Sequence, residues 1–182
     1  MIGECKFLCK MPYAKGERMR RLSDGVEAAM HCAAILAALP AGKTLSGEDL
    51  AALHGISKSY LLKHLRALTA ACVTEAIPGP RGGYRLARSA EEISMLDVVE
   101  AIDGSGPAFV CREIRRKGEV TTNAACDYQN DCFIKRRMLA AEELWRDALR
   151  AQTLADLLVD GENEIGKHNK DAVGQFVIDK QR

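Results

Sequence analysis

The sequence predicts a mainly α-helical protein: a winged helix-turn-helix domain with a small β-hairpin wing, followed by a long C-terminal dimerisation helix. Three observations carry this expectation. Hydrophobic residues make up 47% of the 182 residues and aromatics only 5%, a mixture rich in alanine and leucine that favours packed helices over a sandwich or barrel. The stretch "LSGEDLAALHGISKSYLLKHLRALTAACV" encodes a short helix, a glycine corner and a second helix with a basic outer face, the helix-turn-helix pattern. Directly after it, "VTEAI", "PGPRGG" and "YRLA" read as two short strands around a Pro/Gly loop, which makes the hairpin a wing.

Taken in order, residues 1–18 form a charged, aperiodic extension in which Cys5 and Cys9 receive no role. No secretory apolar core and no membrane-spanning run occurs, so the cytoplasm is the expected location. The winged domain is expected over 19–106. Its first helix lies in "LSDGVEAAMHCAAILAAL", with Asp24 and Glu27 as a capping box. Val26, Ala29, Met30, Ala33, Leu36 and Ala37 form its apolar face. Ser46 caps the second helix, Gly55 turns the corner, and Ser57 caps the third. In that third helix Tyr60, Leu61, Leu62, Leu65 and Leu68 alternate with Lys58, Lys63, His64 and Arg66. "ISMLDVVEAIDG" supplies a sealing helix, capped by Ser94 with Asp97 and closed by Gly104.

Residues 107–132 are irregular and hold Cys111, Cys126 and Cys132. One helix is expected over 133–159, where Ile134, Met138, Ala141, Trp145 and Ala148 step by four and three as a helix-pairing seam. Residues 160–182 read as a flexible polar tail.

Net charge is only +1, so a nucleic-acid surface has to be local. It is: from Ser57 to Arg88, Lys58, Lys63, Arg66, Arg81, Arg85 and Arg88 face a single acid, Glu75. Arg81 leads the hairpin tip toward a DNA backbone or minor groove, and Gly82 and Gly83 let the chain turn closely.

The run "SYLLKHLRAL" followed by "GPRGGYRLA", then "ISMLDVVEAIDG" and a cysteine-bearing segment before a long helix, resembles the Rrf-two (BadM-type) family of bacterial winged-helix regulators. That family includes the iron–sulfur regulator IscR and the nitric-oxide-sensing NsrR. The likeness covers about residues 19–158. It implies a homodimer held by the long helix, no membrane, and a double-stranded, palindromic DNA operator. It places Ser57, Ser59, Tyr60 and Lys63 of the third helix at the DNA, with Arg81, Gly82, Gly83 and Tyr84 of the wing. It further implies an iron–sulfur cluster, 2Fe–2S or 4Fe–4S, on Cys111, Cys126 and Cys132. Asp24 matches the position from which a partner's first helix completes the iron; a plain helix cap is its other reading.

The chemistry agrees with the resemblance, because thiolates are the usual cluster ligands. Arg112, Arg115, Arg116 and Lys117 favour thiolate over thiol. The spacing departs from it: five residues separate Cys126 from Cys132, but Cys111 lies further off. Metal-free thiol sensing and inert packing therefore stay open beside the cluster, while Cys32 and Cys72 read as core. The expected function is a DNA-binding regulator, a repressor, that senses redox state, nitric oxide or iron–sulfur status. The alternative is a cluster-free regulator answering to thiol oxidation or a small-molecule effector. A thiol enzyme lacks a CxxC, a nucleotide loop and a histidine constellation. A winged-fold adaptor without DNA is separated from these by the role of Lys63 and Arg81.

Overall fold

The structure is a computed structural model that describes residues 22–117 and 130–182; Cys5, Cys9 and Cys126 lie outside the described residues. Helix α1 (Asp24–Ala37) begins one residue after Ser23. The expected Asp24 capping box is not formed. Instead the Ser23 hydroxyl and N–H both donate to Asp103, at 2.5 and 3.0 Å, so the start of α1 is fastened to a distant helix end.

Helix α2 (Gly47–Leu53) is capped by the Ser46 hydroxyl, which accepts from the Asp49 N–H at 3.1 Å. Gly55 turns the corner at φ 63°, a conformation glycine adopts without a Cβ penalty. Helix α3 (Lys58–Ala70) is then capped by Ser57, whose hydroxyl accepts from the Tyr60 N–H. Leu61, Leu65 and Leu68 are fully buried against Ala29, Cys32, Ala33 and Leu36 of α1 and Leu50 of α2. Each buried leucine contributes about 1.5–3 kcal/mol over its exposed state.

The chain leaves α3 through Cys72, which is exposed in a left-handed turn at φ 55°. This corrects the core reading of Cys72: the turn that feeds the first strand needs that position. Cys32 is in the core as expected. Strands β1 (Thr74–Ile77) and β2 (Gly83–Leu86) pair antiparallel, from Thr74 opposite Leu86 to Ile77 opposite Gly83. A third segment joins them, since Leu45 and Tyr84 exchange both backbone hydrogen bonds. Helix α4 (Met95–Asp103) carries the Ser94–Asp97 capping box and ends at Gly104, φ 83°.

Helix α5 (Phe133–Arg150) is shorter than the single helix expected over 133–159. The ladder breaks at Ala151–Gln152, and Thr153 caps α6 (Leu154–Glu164) with its own capping box. The break serves packing: the Met95 N–H donates to Gln152 O, the Leu154 N–H donates to Ile93 O, and Leu154 becomes fully buried. The tail expected over 160–182 is likewise structured. Helix α7 (Lys167–Lys180) packs Val173 and Val177 on the core. Thr44 and Arg182 then exchange both backbone hydrogen bonds. A four-residue apolar step within a polar composition was enough to dock it. Among the described residues no helix is long and apolar enough to cross a membrane.

Candidate functional site

Two surfaces carry chemistry. The first is the outer side of α3 with the wing. Ser57, Lys58, Ser59, Tyr60, Lys63 and Arg66 are exposed there. Lys58 is paired with Glu48 at 2.9 Å. The wing's arginines divide sharply. Arg85 is spent on its cross-strand neighbour Glu75 at 2.6 Å. Arg88 donates to the carbonyls of Cys72 and Glu92 and lies 3.7 Å from Asp97. Lys63, Arg66 and Arg81 are exposed and have no ion pair among the described residues. The basic patch therefore reduces to these three charges, with Arg81 on the five-residue loop between Ile77 and Gly83.

The two adjacent glycines serve the protein's own backbone. A Cβ on Gly82 would stand 2.0 Å from the Ile77 carbonyl oxygen, and one on Gly83 would stand 2.4 Å from that of Leu45. Tyr84 is half-buried and packs against the core. Of the residues expected at DNA, Ser57, Ser59, Tyr60, Lys63 and Arg81 are each exposed. The structure gives Gly82, Gly83 and Tyr84 the task of building the wing. His64 points inward: its ring lies edge-on to Tyr60 at 4.6 Å and closes over Gly25, where a Cβ would stand 2.3 Å away. Burial, then the Lys63 charge, holds its pKa below the ordinary 6.5 despite Asp103.

The second surface joins the winged head to α5. The sulfurs of Cys111 and Cys132 and a carboxylate oxygen of Glu113 lie within 4.8 Å of one another. Glu113 sits in the left-handed region at φ 48°, a strained position for a side-chain-bearing residue. Its two oxygens face different ways. Oε1 accepts from the Cys111 thiol at 3.5 Å, while Oε2 takes Arg115 at 2.8 Å and Arg116 at 3.3 Å. Arg115 also donates to the Asn130 carbonyl at 2.8 Å, so it ties the stretch that ends at residue 117 to the one that begins at residue 130.

Cys132 is the N-cap of α5. Backbone N–H groups of Lys135 and Ile134 lower its pKa, with help from Cys111 and the Arg115 charge, against desolvation. Cys111 goes the other way: the Glu113 backbone lowers it, but desolvation, Cys132 and the Glu113 carboxylate together leave it raised. The pair therefore favours a thiolate on Cys132 first. These donors, two sulfurs and one carboxylate oxygen, are of types that ligate iron or zinc, and they are one short of a tetrahedral set. Asp24 is not a member of it. In this chain Asp24 lines a separate cleft with Glu27, His31, His54 and Tyr60. Glu113 was missed in the sequence reading; the C-x-E spacing from Cys111 was its only signal.

Beyond the cysteines, α5 presents an unusual face. None of its 18 residues is buried, and Ile134, Met138, Ala141, Trp145 and Ala148 are all exposed. An Arg146–Glu100 ion pair and the Ala108 N–H donated to Glu142 hold its other side to the head.

A capped two-helix corner followed by a glycine-built hairpin defines a winged-helix DNA-binding protein. The chain belongs to the Rrf2 family, described as iron-dependent transcriptional regulators, whose family model matches residues 22–160. The HTH-type transcriptional regulator Rv1287 of Mycobacterium tuberculosis is 37% identical over 137 residues, 75% of this chain and 80% of its own length. The fold is similar to T. potens IscR (TM-score 0.59, 20% identity, 84% of this chain and 94% of that one). It is also similar to CymR, the global cysteine regulator of B. subtilis (TM-score 0.56, 21% identity, 78% and 98%).

Proposed function

We propose that this transcriptional regulator works as a homodimeric repressor whose grip on a palindromic operator is set by Cys111, Cys132 and Cys126. The observation that carries the reading is the Cys111–Glu113–Cys132 group at the joint between the winged head and α5. Ser57, Ser59, Tyr60 and Lys63 would contact DNA from α3, and Arg81 from the wing. Hydroxyls and free N–H groups at a helix start suit phosphates, and a lone arginine suits a narrow minor groove. The exposed α5 seam supplies the surface for the second chain. Cys111, Cys132 and Cys126 would hold an iron–sulfur cluster, with Glu113 or the partner's Asp24 offering a carboxylate. When bound, such a cluster would supply iron open to nitric oxide or oxidant. The chain's part is to hold the Cys132 thiolate at the α5 N-terminus and to keep Glu113 Oε1 turned toward the sulfurs.

The test is anaerobic purification, a visible absorption spectrum, and iron and sulfide counts. Visible bands with stoichiometric iron and sulfide, lost in Cys111→Ala and Cys132→Ala, support the cluster. A colourless, iron-free protein from iron-replete cells overturns it. One observation favours a second, metal-free reading: Glu113 Oε2 is already paired with Arg115 and Arg116. The neighbouring sulfurs would then respond by thiol oxidation, read out as an oxidant-dependent loss of two free thiols per chain.

A further inference from the structure

Two residues one turn apart on α3 have different surroundings. Tyr60 is exposed on the outer side of the helix, and its N–H is fixed by Ser57 Oγ at 3.3 Å. His64 is buried, and its ring meets the Tyr60 ring edge-on at 4.6 Å. Residues four apart on a helix are neighbours on one face, so the imidazole is the inner support of the phenol.

The imidazole rests in turn on the start of α1. A Cβ on Gly25 would have its three nearest neighbours in the His64 ring, with Nδ1 at 2.8 Å and Nε2 at 3.0 Å among them. Gly25 is buried and helical, and its φ is not positive. The backbone therefore does not require glycine here; the imidazole does. A third element fixes this seat: Ser23, the N-cap of α1, gives its N–H and its hydroxyl to Asp103 at the end of α4. The ring is held as an uncharged wedge, because burial first and then the Lys63 charge lower its pKa against Asp103. Its Nε2 is shielded and has no hydrogen bond among the described residues, which costs stability. An aliphatic side chain would fill the space without that cost, so polarity does not account for a histidine here. A flat, rigid ring between Gly25 and Tyr60 does.

We propose that His64, seated on Gly25, is the positioning residue for Tyr60 at DNA: it sets where the phenol ring stands, and so where its hydroxyl meets a phosphate. Both Gly25 and His64 are buried, so neither meets DNA itself. Movement at the start of α1 then reaches the DNA surface through this stack. The proposal rests on the reading of Tyr60 as a DNA contact.

The experiment measures the affinity of the full chain, purified anaerobically, for the duplex that the wild type enriches most from a random-sequence pool. Tyr60→Ala should weaken binding by about tenfold or more, the scale of a hydrogen bond to a charged group. Gly25→Ala should weaken it by about threefold or more, the scale of coupling between residues in contact. The salt dependence should stay that of the wild type, because no charge has changed. Added to Tyr60→Ala or to His64→Ala, Gly25→Ala should alter affinity by less than about twofold. A second cycle, His64→Ala against Tyr60→Ala, reads the same coupling without touching α1, and decides the matter if Gly25→Ala does not fold. Circular dichroism and thermal melts check each variant. Wild-type affinity in folded Gly25→Ala, or losses that simply add, overturns the proposal and leaves the stack as core packing. If no duplex is enriched, or if Tyr60→Ala binds as tightly as the wild type, the DNA contact itself falls and the positioning role falls with it. The two failures are thus read apart.

Discussion

The winged head and helix α5 are built from similar proportions of apolar residue and end in opposite states. In the head, Leu45, Leu50, Leu61, Leu65, Leu68 and Ile93 are fully buried. In α5, Trp145 is 43% exposed, Met138 46% and Leu144 73%. The head's core is completed within the chain, with Leu154 of α6 and Val177 of α7, whereas the apolar face of α5 is uncovered among the described residues. Scattered exposed apolar residues are ordinary, but a contiguous stripe at helical spacing marks an interaction surface. The contrast separates two kinds of stability. One is internal to the chain, and the other, under the proposed pairing of α5 with a second copy, would depend on protein concentration.

The sharpest way to break the contrast is on α5. Met138→Glu with Trp145→Glu should weaken self-association by about 3 kcal/mol or more, on the scale of central interface residues. Sedimentation should then show a particle of the chain mass, 19.9 kDa, with an unchanged far-ultraviolet spectrum. A particle still twice that mass would place the interface elsewhere. On the head side, Gly83→Ala forces a Cβ to within 2.4 Å of the Leu45 carbonyl oxygen. It should cost about 1–3 kcal/mol, the usual range for overpacking, measured by denaturant unfolding, with no change in association. An unaltered midpoint would show that the wing relaxes freely.

Arg81→Ala sharpens the division among the arginines. It should weaken operator binding by about 1–2 kcal/mol and lower the salt dependence by about one charge. Arg85→Ala should cost DNA affinity little, because Arg85 is already paired with Glu75. Equal losses for the two would remove the distinction. The smallest effect concerns acid. His54 and His64 both have pKa values lowered from 6.5, each first by burial. The unfolded chain then takes up protons below pH 6.5 that the fold resists, so stability is full above that pH and falls as pH drops below it. His54→Gln should flatten part of that slope in thermal melts between pH 7 and pH 5.

Most of the head was legible because local signals agreed with packing. Ser46, Ser57 and Ser94 cap as their positions suggest, and Gly55 and Gly104 take positive φ. Asp24 is not the cap because it is already the first helical residue, with Ser23 at the N-cap position; the Ser23–Asp103 contact that fastens this start spans 80 residues, and no local pattern encodes it. The break at Gln152 was hidden for the same reason, since its cause is pairing with Met95 and Ile93. Helix α7 was hidden by its polar composition, although Val173 and Val177 sit four apart. Gly82 and Gly83 stood out at once, but their reason lies in the carbonyls of Ile77 and Leu45. At the cysteines, residue type was readable and Glu113 was not, because its place beside both sulfurs depends on a left-handed backbone turn.

The last residue of the described chain has a mechanical consequence. The match to the family model spans residues 22–160, and the wing is braced from outside that span by Arg182, through the carbonyls of Pro80 and Gly82. The stiffness of the wing is thus set in part by a residue a hundred positions away in sequence, so a change at Arg182 would loosen the hairpin without altering any residue of the hairpin itself.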